Sequence, residues 1–278
     1  MLLNTWYVAG EAKTLTTTPV RVKMLGQFFV LFRDENGEAA CISDTCVHRG
    51  GALGNGEVKK GCVECPYHGW QYNRTGVAQY SPAHGPDFKL PARARVDAYP
   101  VQERYGWIWV FVGDLPEEER PPLPEFPEVE DTENYRSTWG SFKWNANYAR
   151  VVENALDPSH AAFVHGDTFG NPDDPTIPDF EVVKEEYGAY AEIDMVRRPR
   201  KGLWKWITPE CNDPVHVRNG FHMSGMAVIL NQQVTPKMKM ALYDVNTPID
   251  EHNTQTYWVA ARDFFMGAWA DKDAAKRV

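Results

Sequence analysis

The sequence is short of several features that define whole classes of protein. It contains five cysteines, an odd number that argues against a framework of disulfide pairs. No apolar run approaches the about 18 residues that a membrane-spanning helix needs. Acidic residues outnumber basic ones by 38 to 29, for a net charge of -9, so the basic face that binds nucleic acid is not expected. We therefore expect a cytoplasmic protein with no leader peptide, no membrane span and no nucleic-acid partner.

The 278 residues suffice for one large domain or two smaller ones, and their character changes along the chain. Residues 1–115 read as short strands and turns, with the strands predicted at 20–24, 27–33 and 39–43. Residues 116–130 are rich in proline and glutamate, which favours an extended linker on the surface. The pattern predicts two domains joined by this linker.

Residues 131–278 combine strand and helix patterns. A helix is predicted over 145–156, a second helix is predicted to start at Asp157-Pro158, and a third is predicted over 268–278. The predicted fold class is therefore α+β, with a β-rich N-terminal domain and a mixed C-terminal domain.

Two matched pairs of cysteine and histidine lie in the first region, Cys46-Val-His48 and Cys65-Pro-Tyr-His68. A Rieske [2Fe–2S] centre binds one iron through two cysteines and the other through two histidines, and two such loops supply that set. The same four side chains could instead hold a structural zinc ion, so this alternative stays open on ligand chemistry. The remaining cysteines read as ordinary small residues; they are Cys41, Cys62 and Cys211.

A second possible metal site lies in the second region, where Asp157 precedes His160 and His165. Asp157 and His160 share a helix face, whereas the two histidines converge only if the helix ends or bulges before Gly166. Two imidazoles and a carboxylate with open coordination positions form the non-haem Fe(II) site that activates O2. On this segment alone, the alternative is an amphipathic helix whose histidines serve only as surface or core residues.

The stretch Cys46-Val-His48-Arg49-Gly50, together with Cys65-Pro-Tyr-His68-Gly69-Trp70, resembles the Rieske fingerprint. With the Asp-x-x-His-x-x-x-x-His stretch, nearly the whole chain resembles the catalytic alpha subunits of Rieske non-haem iron oxygenases. Three further stretches resemble the vanillate and dicamba demethylase-like monooxygenase branch, namely residues 4–9, 247–250 and 257–264.

The resemblance implies a Rieske iron-sulfur domain over residues 1–115 and a helix-grip catalytic domain, with an antiparallel sheet over a mononuclear iron, over 131–278. It also implies a role for each residue of the motifs. The cluster ligands would be Cys46, His48, Cys65 and His68, and the iron ligands would be His160 and His165. Asp157 would be the electron bridge between subunits. Asn154 would be a further neighbour of the iron.

The third iron ligand of the family is an aspartate, and we expect it beyond Val278, so the catalytic domain is expected to be incomplete at its C-terminus. Asp263 belongs to a different stretch of the family pattern. Asp271 and Asp273 come too early and are expected on a solvated helix face.

The resemblance further implies an oxygenase component that uses O2 and electrons from a separate NAD(P)H-dependent flavin reductase, directly or through a ferredoxin. It would hydroxylate or O- or N-demethylate a small aromatic or cyclic substrate, as a homotrimer; mono- and dioxygenation both stay open. A Rieske electron-transfer protein without oxygenase activity is the alternative. Composition alone suggests pocket residues, which could equally be core: Trp204, Trp206, Phe221, Met223 and Met226.

Overall fold

The computed structural model describes residues 2–165, 170–196 and 214–271. Contacts between residues divide the chain into two compact units. Unit 1 comprises Met1–Pro121 and Thr247–Glu251, and unit 2 comprises Pro122–Asn246 and His252–Val278. The division along the chain falls between two consecutive prolines of the Pro/Glu-rich segment.

Unit 1 contains three sheets of antiparallel strands, with the orders β1-β11-β10, β2-β3-β4-β9 and β5-β6-β7-β8. Its described strands are β1 (Thr5–Glu11), β2 (Val20–Met24), β3 (Gln27–Arg33), β4 (Ala39–Ser43), β5 (Glu57–Lys59), β6 (Cys62–Glu64), β7 (Gln71–Tyr72), β8 (Ala78–Tyr80), β9 (Ala98–Tyr99), β10 (Val101–Arg104) and β11 (Trp107–Val112).

The strands predicted for the first region are confirmed at β2, β3 and β4, with the predicted bounds. Strand β11 lies between β1 and β10, and every one of its six residues is buried. Aromatic and β-branched side chains pack well on both faces of a central strand, which explains this all-apolar sequence.

The sheet of β5 to β8 consists of strands of only two or three residues. Short strands of this kind need a shared core, and here Leu53, Val63 and Tyr72 are fully buried in one cluster with Cys46 and Cys65. The two loops that carry the Cys/His pairs are therefore anchored by their own cysteines, which lie inside this core.

The prediction of an extended surface linker at 116–130 is wrong in part. A single 3-10 turn spans Glu117–Glu119, a short helix α1 spans Pro127–Glu130, and Leu123, Phe126 and Val129 are buried. The Phe126 ring stacks on Tyr243 at a centroid distance of 4.1 Å. These apolar side chains hold the segment against unit 2, which outweighs the tendency of its prolines to extend.

Unit 2 is built on one sheet of seven antiparallel strands, in the order β12-β18-β17-β16-β15-β14-β13. The strands are β12 (Arg136–Trp144), β13 (Val182–Glu185), β14 (Gly188–Met195), β15 (Val215–His222), β16 (Ala227–Thr235), β17 (Met238–Pro248) and β18 (Thr254–Arg262).

Two helices follow β12, α2 (Tyr148–Leu156) and α3 (Ala161–Val164). Asn147 caps α2 by accepting a hydrogen bond from the Ala149 N–H at 2.9 Å, so the helix begins three residues later than predicted. The prediction that the second helix starts at Asp157-Pro158 is wrong. Asp157 accepts hydrogen bonds from both the N–H and the hydroxyl of Ser159, which form a turn before the helix.

The predicted helix over 268–278 begins as a 3-10 turn at Ala268–Ala270, and residues 272–278 lie outside the described residues. The predicted α+β fold class is confirmed, with antiparallel sheets, few helices and a β-rich domain before a mixed one. In the described part of the chain, no helix combines the length and the apolar character needed to cross a bilayer.

Candidate functional site

The two Cys/His loops of unit 1 have the same backbone hydrogen bonds. In the first loop the Cys46 N–H donates to Gly51 O at 2.9 Å and the Gly50 N–H donates to Cys46 O at 2.8 Å. In the second loop the Cys65 N–H donates to Trp70 O at 2.8 Å and the Gly69 N–H donates to Cys65 O at 2.9 Å. Gly50 and Gly69 have φ angles of 72° and 71°, which glycine adopts without steric cost.

The cysteines of these loops lie inside the domain. Cys46 and Cys65 are 3% and 2% exposed. Burial raises the pKa of the Cys65 thiol, and the nearby Cys46 sulfur raises that pKa further. The N–H groups of Tyr67 and His68 point at the Cys65 sulfur and oppose the rise. Two adjacent sulfurs, one of which receives backbone N–H groups, form a site for a cation that binds thiolate.

The histidines lie at the surface beside each other. The rings of His48 and His68 meet edge to face with centroids 4.5 Å apart, and Trp70 stacks on His48 at 4.9 Å. Desolvation, followed by His68, Arg49 and His84, lowers the pKa of His48. This favours the neutral imidazole, which is the form that coordinates a metal.

The donor set therefore consists of a buried sulfur pair and an exposed imidazole pair. A structural zinc site requires four donors around one ion, whereas a [2Fe–2S] cluster takes two protein donors on each iron. The separation of the donors into a sulfur pair and an imidazole pair fits the cluster.

The other two described cysteines, Cys41 and Cys62, take no part in this arrangement. Cys41 is buried in β4, where burial raises the pKa of its thiol, and Cys62 is half-buried in β6. Cys211 lies outside the described residues.

The second predicted site lies around α3 in unit 2. His160 is the residue before this one-turn helix, and His165 follows its last residue with non-helical backbone angles. The two rings meet edge to face with centroids 5.5 Å apart. The structure thus brings the histidines together because the helix is too short to place them on opposite faces. Gly166 lies outside the described residues.

The environment of these rings fits a metal ion. The Nδ1 atom of His160 is buried and has no hydrogen-bond partner. Burial, followed by the charge of His160, lowers the pKa of His165 and favours a neutral ring. A buried ring nitrogen without a partner is destabilising unless a ligand or an ion satisfies it.

Asp157 lies in the turn between α2 and α3 and is exposed. Hydrogen bonds from Ser159, with a smaller contribution from His160, lower the pKa of Asp157, so its side chain is a carboxylate. Asn154 lies one turn earlier on α2, and both residues line the same cavity as His160 and His165.

That cavity has a volume of about 560 Å³ and lies within unit 2. Its walls are α2, α3 and one face of the seven-stranded sheet, with additional side chains from the segment after β18. Its size is that of a pocket for a small organic molecule. The lining is largely apolar and includes Phe142, Trp144, Ile193, Leu230, Met240 and Leu242.

The pocket residues suggested by composition are wrong where they can be checked. Phe221, Met223 and Met226 do not line the cavity. Met223 is exposed and Met226 is buried in the turn between β15 and β16, so both lie beyond the part of the sheet that faces α2. Trp204 and Trp206 lie outside the described residues.

Asp271 does not lie on a solvated helix face. Its carboxylate accepts hydrogen bonds from Arg136 at 2.7 and 2.8 Å and from Arg262 at 2.6 Å. These arginines hold the pKa of Asp271 far below its usual range. A carboxylate committed to two guanidinium groups is a poor candidate for an iron ligand. Asp273 lies outside the described residues, and a third iron ligand beyond Val278 stays a prediction.

Sequence reasoning missed two features of these sites. The Tyr72 hydroxyl lies 3.1 Å from the Cys46 sulfur, and Asp244 of β17 lines the cavity. In the sequence, the feature that could have indicated Tyr72 is its position two residues after Trp70. The feature that could have indicated Asp244 is a carboxylate within the otherwise apolar run Ala241–Val245.

Comparisons with known proteins match both parts of the chain to described families. Residues 5–100 match the family described as Rieske [2Fe-2S] domain, and residues 144–278 match the one described as vanillate O-demethylase oxygenase C-terminal domain. A protein assigned to a toluene-4-sulfonate monooxygenase system as its iron-sulfur subunit, TsaM2 of Comamonas testosteroni, is 33% identical over 95% of this chain and 80% of that protein.

A second relative is the oxygenase component of dicamba O-demethylase from Stenotrophomonas maltophilia, 33% identical over 58% of this chain and 47% of that protein. Among solved structures, NdmA of Pseudomonas putida CBB5 has a TM-score of 0.82 at 24% identity, covering 99% of this chain and 78% of that one. The structural likeness supports the fold alone. The sequence matches carry the assignment: the chain belongs to the Rieske non-haem iron oxygenases, as an oxygenase component with a Rieske [2Fe–2S] domain and a vanillate O-demethylase-type C-terminal domain.

Proposed function

We propose that the chain is the terminal oxygenase that hydroxylates, or O- or N-demethylates, a small aromatic or cyclic substrate in the cavity of unit 2. The observation that carries the proposal is the convergence of His160 and His165 on the wall of a 560 Å³ cavity, with the buried Nδ1 of His160 lacking a partner. A Rieske protein devoted to electron transfer alone has no use for such a cavity.

Each group of residues has a distinct task in this proposal. Cys46, His48, Cys65 and His68 would hold the cluster, and His160 and His165 would hold the mononuclear iron. When bound, these centres supply one-electron reduction and O2 activation. The apolar walls exclude water and orient the substrate.

Asp157 is proposed to link the Rieske cluster of one subunit to the mononuclear iron of a neighbouring subunit. Its carboxylate is ionised, exposed and only three residues from His160, so it is placed to accept a hydrogen bond from an imidazole N–H of another subunit. This role requires an oligomer, for which we propose a homotrimer. Asn154, on the same cavity wall, is proposed to lie beside the iron.

The electrons are proposed to come from an NAD(P)H-dependent flavin reductase, with or without a ferredoxin. The acidic chain, with its net charge of -9, favours a basic docking face on that donor. The described cysteines are all free thiols, which supports a reducing, cytoplasmic location.

The relatives suggest the type of substrate. Their names refer to the O-demethylation of dicamba, the N1-demethylation of methylxanthines and the oxidation of toluene-4-sulfonate. All of these are ring compounds of a size that a cavity of 560 Å³ accepts.

The test is the iron and acid-labile sulfide content at anaerobic equilibrium with excess Fe(II), because a site with two histidines, whose third ligand is expected beyond Val278, holds iron weakly. At saturation the unsubstituted chain should bind about three irons and two sulfides, and His160→Ala should bind about two irons with the sulfide unchanged. His216→Ala, at an exposed histidine outside the cavity, is the control and should hold the full complement. Equal iron in His160→Ala and the unsubstituted chain would contradict the assignment, and O2 uptake that depends on substrate would exclude the electron-transfer alternative.

A further inference from the structure

The sheet presents six polar side chains to the cavity, and half of them are held by hydrogen bonds to other side chains or to the backbone. On this wall the lining residues alternate along each strand, as expected where one face of a sheet borders a cavity. The six are Asn219, Gln232, Asp244, Asn246, Thr256 and Arg262.

Three of the six are held by hydrogen bonds to one another or to neighbouring groups. Thr256 donates its hydroxyl proton to Asn246 Oδ1 at 2.6 Å, and the Asn246 amide donates to Met226 O at 3.0 Å. Arg262 donates from Nη2 to Asp271 at 2.6 Å, which offsets its charge, whereas its Nε is buried without a partner among the described residues. The pairs formed by Thr256, Asn246 and Asp271 shape the wall.

Asp244 is different. It lies on β17 opposite Val228 of β16, and its neighbours on the same face of the strand are Leu242 and Asn246. Its Oδ1 atom is buried and has no hydrogen-bond partner among the described residues. Burial raises the pKa of Asp244 to about 7. The amide of Asn246 does not satisfy this oxygen, because its Nδ2 donates to Met226 O at 3.0 Å and lies 3.5 Å from the main-chain oxygen of Asp244.

A second unpaired acceptor lies on the same wall. Asn219, on β15, donates its amide N–H to Ala155 O of α2 at 3.1 Å, which fixes the orientation of the side chain. Its Oδ1 atom is also buried without a partner. The sheet wall of the cavity therefore holds two acceptors that no described residue pairs, one of them a carboxyl, and both require a donor.

We propose that Asp244 selects substrates that present an N–H group, such as an amine, an amide or a ring N–H, and rejects substrates that carry a carboxylate or sulfonate. The inference rests on the oxygenase function proposed above, because it names the class of substrate for that same cavity. An N–H group in the cavity donates to the carboxylate of Asp244, which lines the wall and is partly exposed there. An anionic group brings a second negative charge into a poorly solvated space, where repulsion is strong.

The test is equilibrium binding by calorimetry, at pH 8 and without reductant, of three probes of nearly equal size: benzylamine, benzamide and benzoate. On the metal-loaded full chain, benzylamine and benzamide should bind at least about tenfold more tightly than benzoate. Asp244→Asn should weaken benzylamine by about tenfold and strengthen benzoate, so that the order of affinities is lost.

The matched control is Asp194→Asn. It makes the same change of a carboxylate to an amide in the same sheet, but Asp194 is exposed and is paired with His216 at 2.9 Å outside the cavity. The control should retain the full preference for the amine. Asp244→Ser, which removes the charge and shortens the side chain, should behave as Asp244→Asn does and provides the comparison if the asparagine variant misfolds.

The inference is overturned if benzoate binds as tightly as benzylamine, if Asp244→Asn keeps the preference of the unsubstituted chain, or if none of the probes binds. Because binding is measured without turnover, it is separate from the oxygenase proposal. A clear preference for N–H probes in a chain that fails the iron test would support the inference about the cavity and contradict the proposed activity.

Discussion

The Tyr72 hydroxyl is 3.1 Å from the sulfur of Cys46, and both side chains are buried in the core of the short-stranded sheet. Tyr72 is fully buried, and the N–H of Val47 also points at its hydroxyl oxygen. Burial and the sulfur of Cys46 raise the pKa of Tyr72 far above its usual range, so the phenol keeps its proton and would be the donor to Cys46 when that sulfur is a cluster-bound thiolate. A hydroxyl that donates to a cluster sulfur stabilises the more negative, reduced state.

Tyr72→Phe should therefore lower the midpoint potential of the Rieske centre, by on the order of 50 mV, the equivalent of one net hydrogen bond. Voltammetry of the purified chain measures this shift. Tyr99→Phe removes a hydroxyl from a half-buried tyrosine of unit 1, which packs on Phe29 at 4.9 Å, and should leave the potential unchanged. Equal potentials in Tyr72→Phe and the unsubstituted chain would show that the hydroxyl does not act on the cluster.

Gly51 provides a test of how tightly the first loop encloses the sulfur pair. A Cβ atom at Gly51 would lie 2.9 Å from Cys65 Sγ, closer than such atoms approach in proteins. Gly51→Ala should therefore displace that sulfur and reduce acid-labile sulfide and visible absorbance per chain. Gly10→Ala is the control, because its added Cβ would meet Leu31 at an ordinary 3.8 Å. A full sulfide content in Gly51→Ala would place the cluster elsewhere.

The first site could be predicted from the sequence because its geometry is local. Each loop contains its cysteine, histidine and turn glycine within five residues, so the spacing of Cys46 and Gly50, or of Cys65 and Gly69, determines the loop. The sequence predicts that His160 and His165 converge only if the helix ends or bulges before Gly166. It does not show that α3 has a single turn. That length depends on Ser159, whose hydrogen bonds to Asp157 delay the start of the helix.

The role of Asp244 could not be predicted, because it depends on contacts between distant parts of the chain. Alternation along β17 indicates which residues share a face, but not which face borders a cavity. That depends on the pairing of Asp244 with Val228 of β16 and on the position of α2, which Asn219 holds through Ala155. For the same reason, composition selected Phe221 and Met226 as pocket residues although neither reaches the cavity.

Asp157→Ala should retain both metal centres and lose turnover. The side chain holds the Ser159 turn but is not proposed as a ligand, so iron and sulfide should be unchanged while substrate-dependent O2 uptake falls by about 10- to 100-fold or more. The control is Asp131→Ala, at an aspartate of unit 2 that bonds Asn134 away from the cavity. Activity close to that of the control would exclude Asp157 as the link between centres, whereas loss of iron would assign it to the iron site itself.

Ionisation of Asp244 should also make the stability of the folded protein depend on pH. The folded protein holds the pKa of Asp244 at about 7, above the roughly 3.9 expected for an unfolded chain, so between these values the folded state binds the additional proton. Stability arising from this group therefore falls as the pH rises from about 4 to 7, and the loss is complete above pH 7.

Asp244→Asn removes that titration and should raise the midpoint of thermal unfolding at pH 8 by at least about 3 °C, with a smaller difference at pH 5. Melting curves at both pH values and at equal metal content measure the effect. Asp194→Asn, at an exposed and paired carboxylate, should shift the midpoint little at either pH. If Asp244→Asn were no more stable than the control at pH 8, Asp244 would have a partner in the folded protein, and its assignment as the unpaired acceptor of the cavity would be wrong.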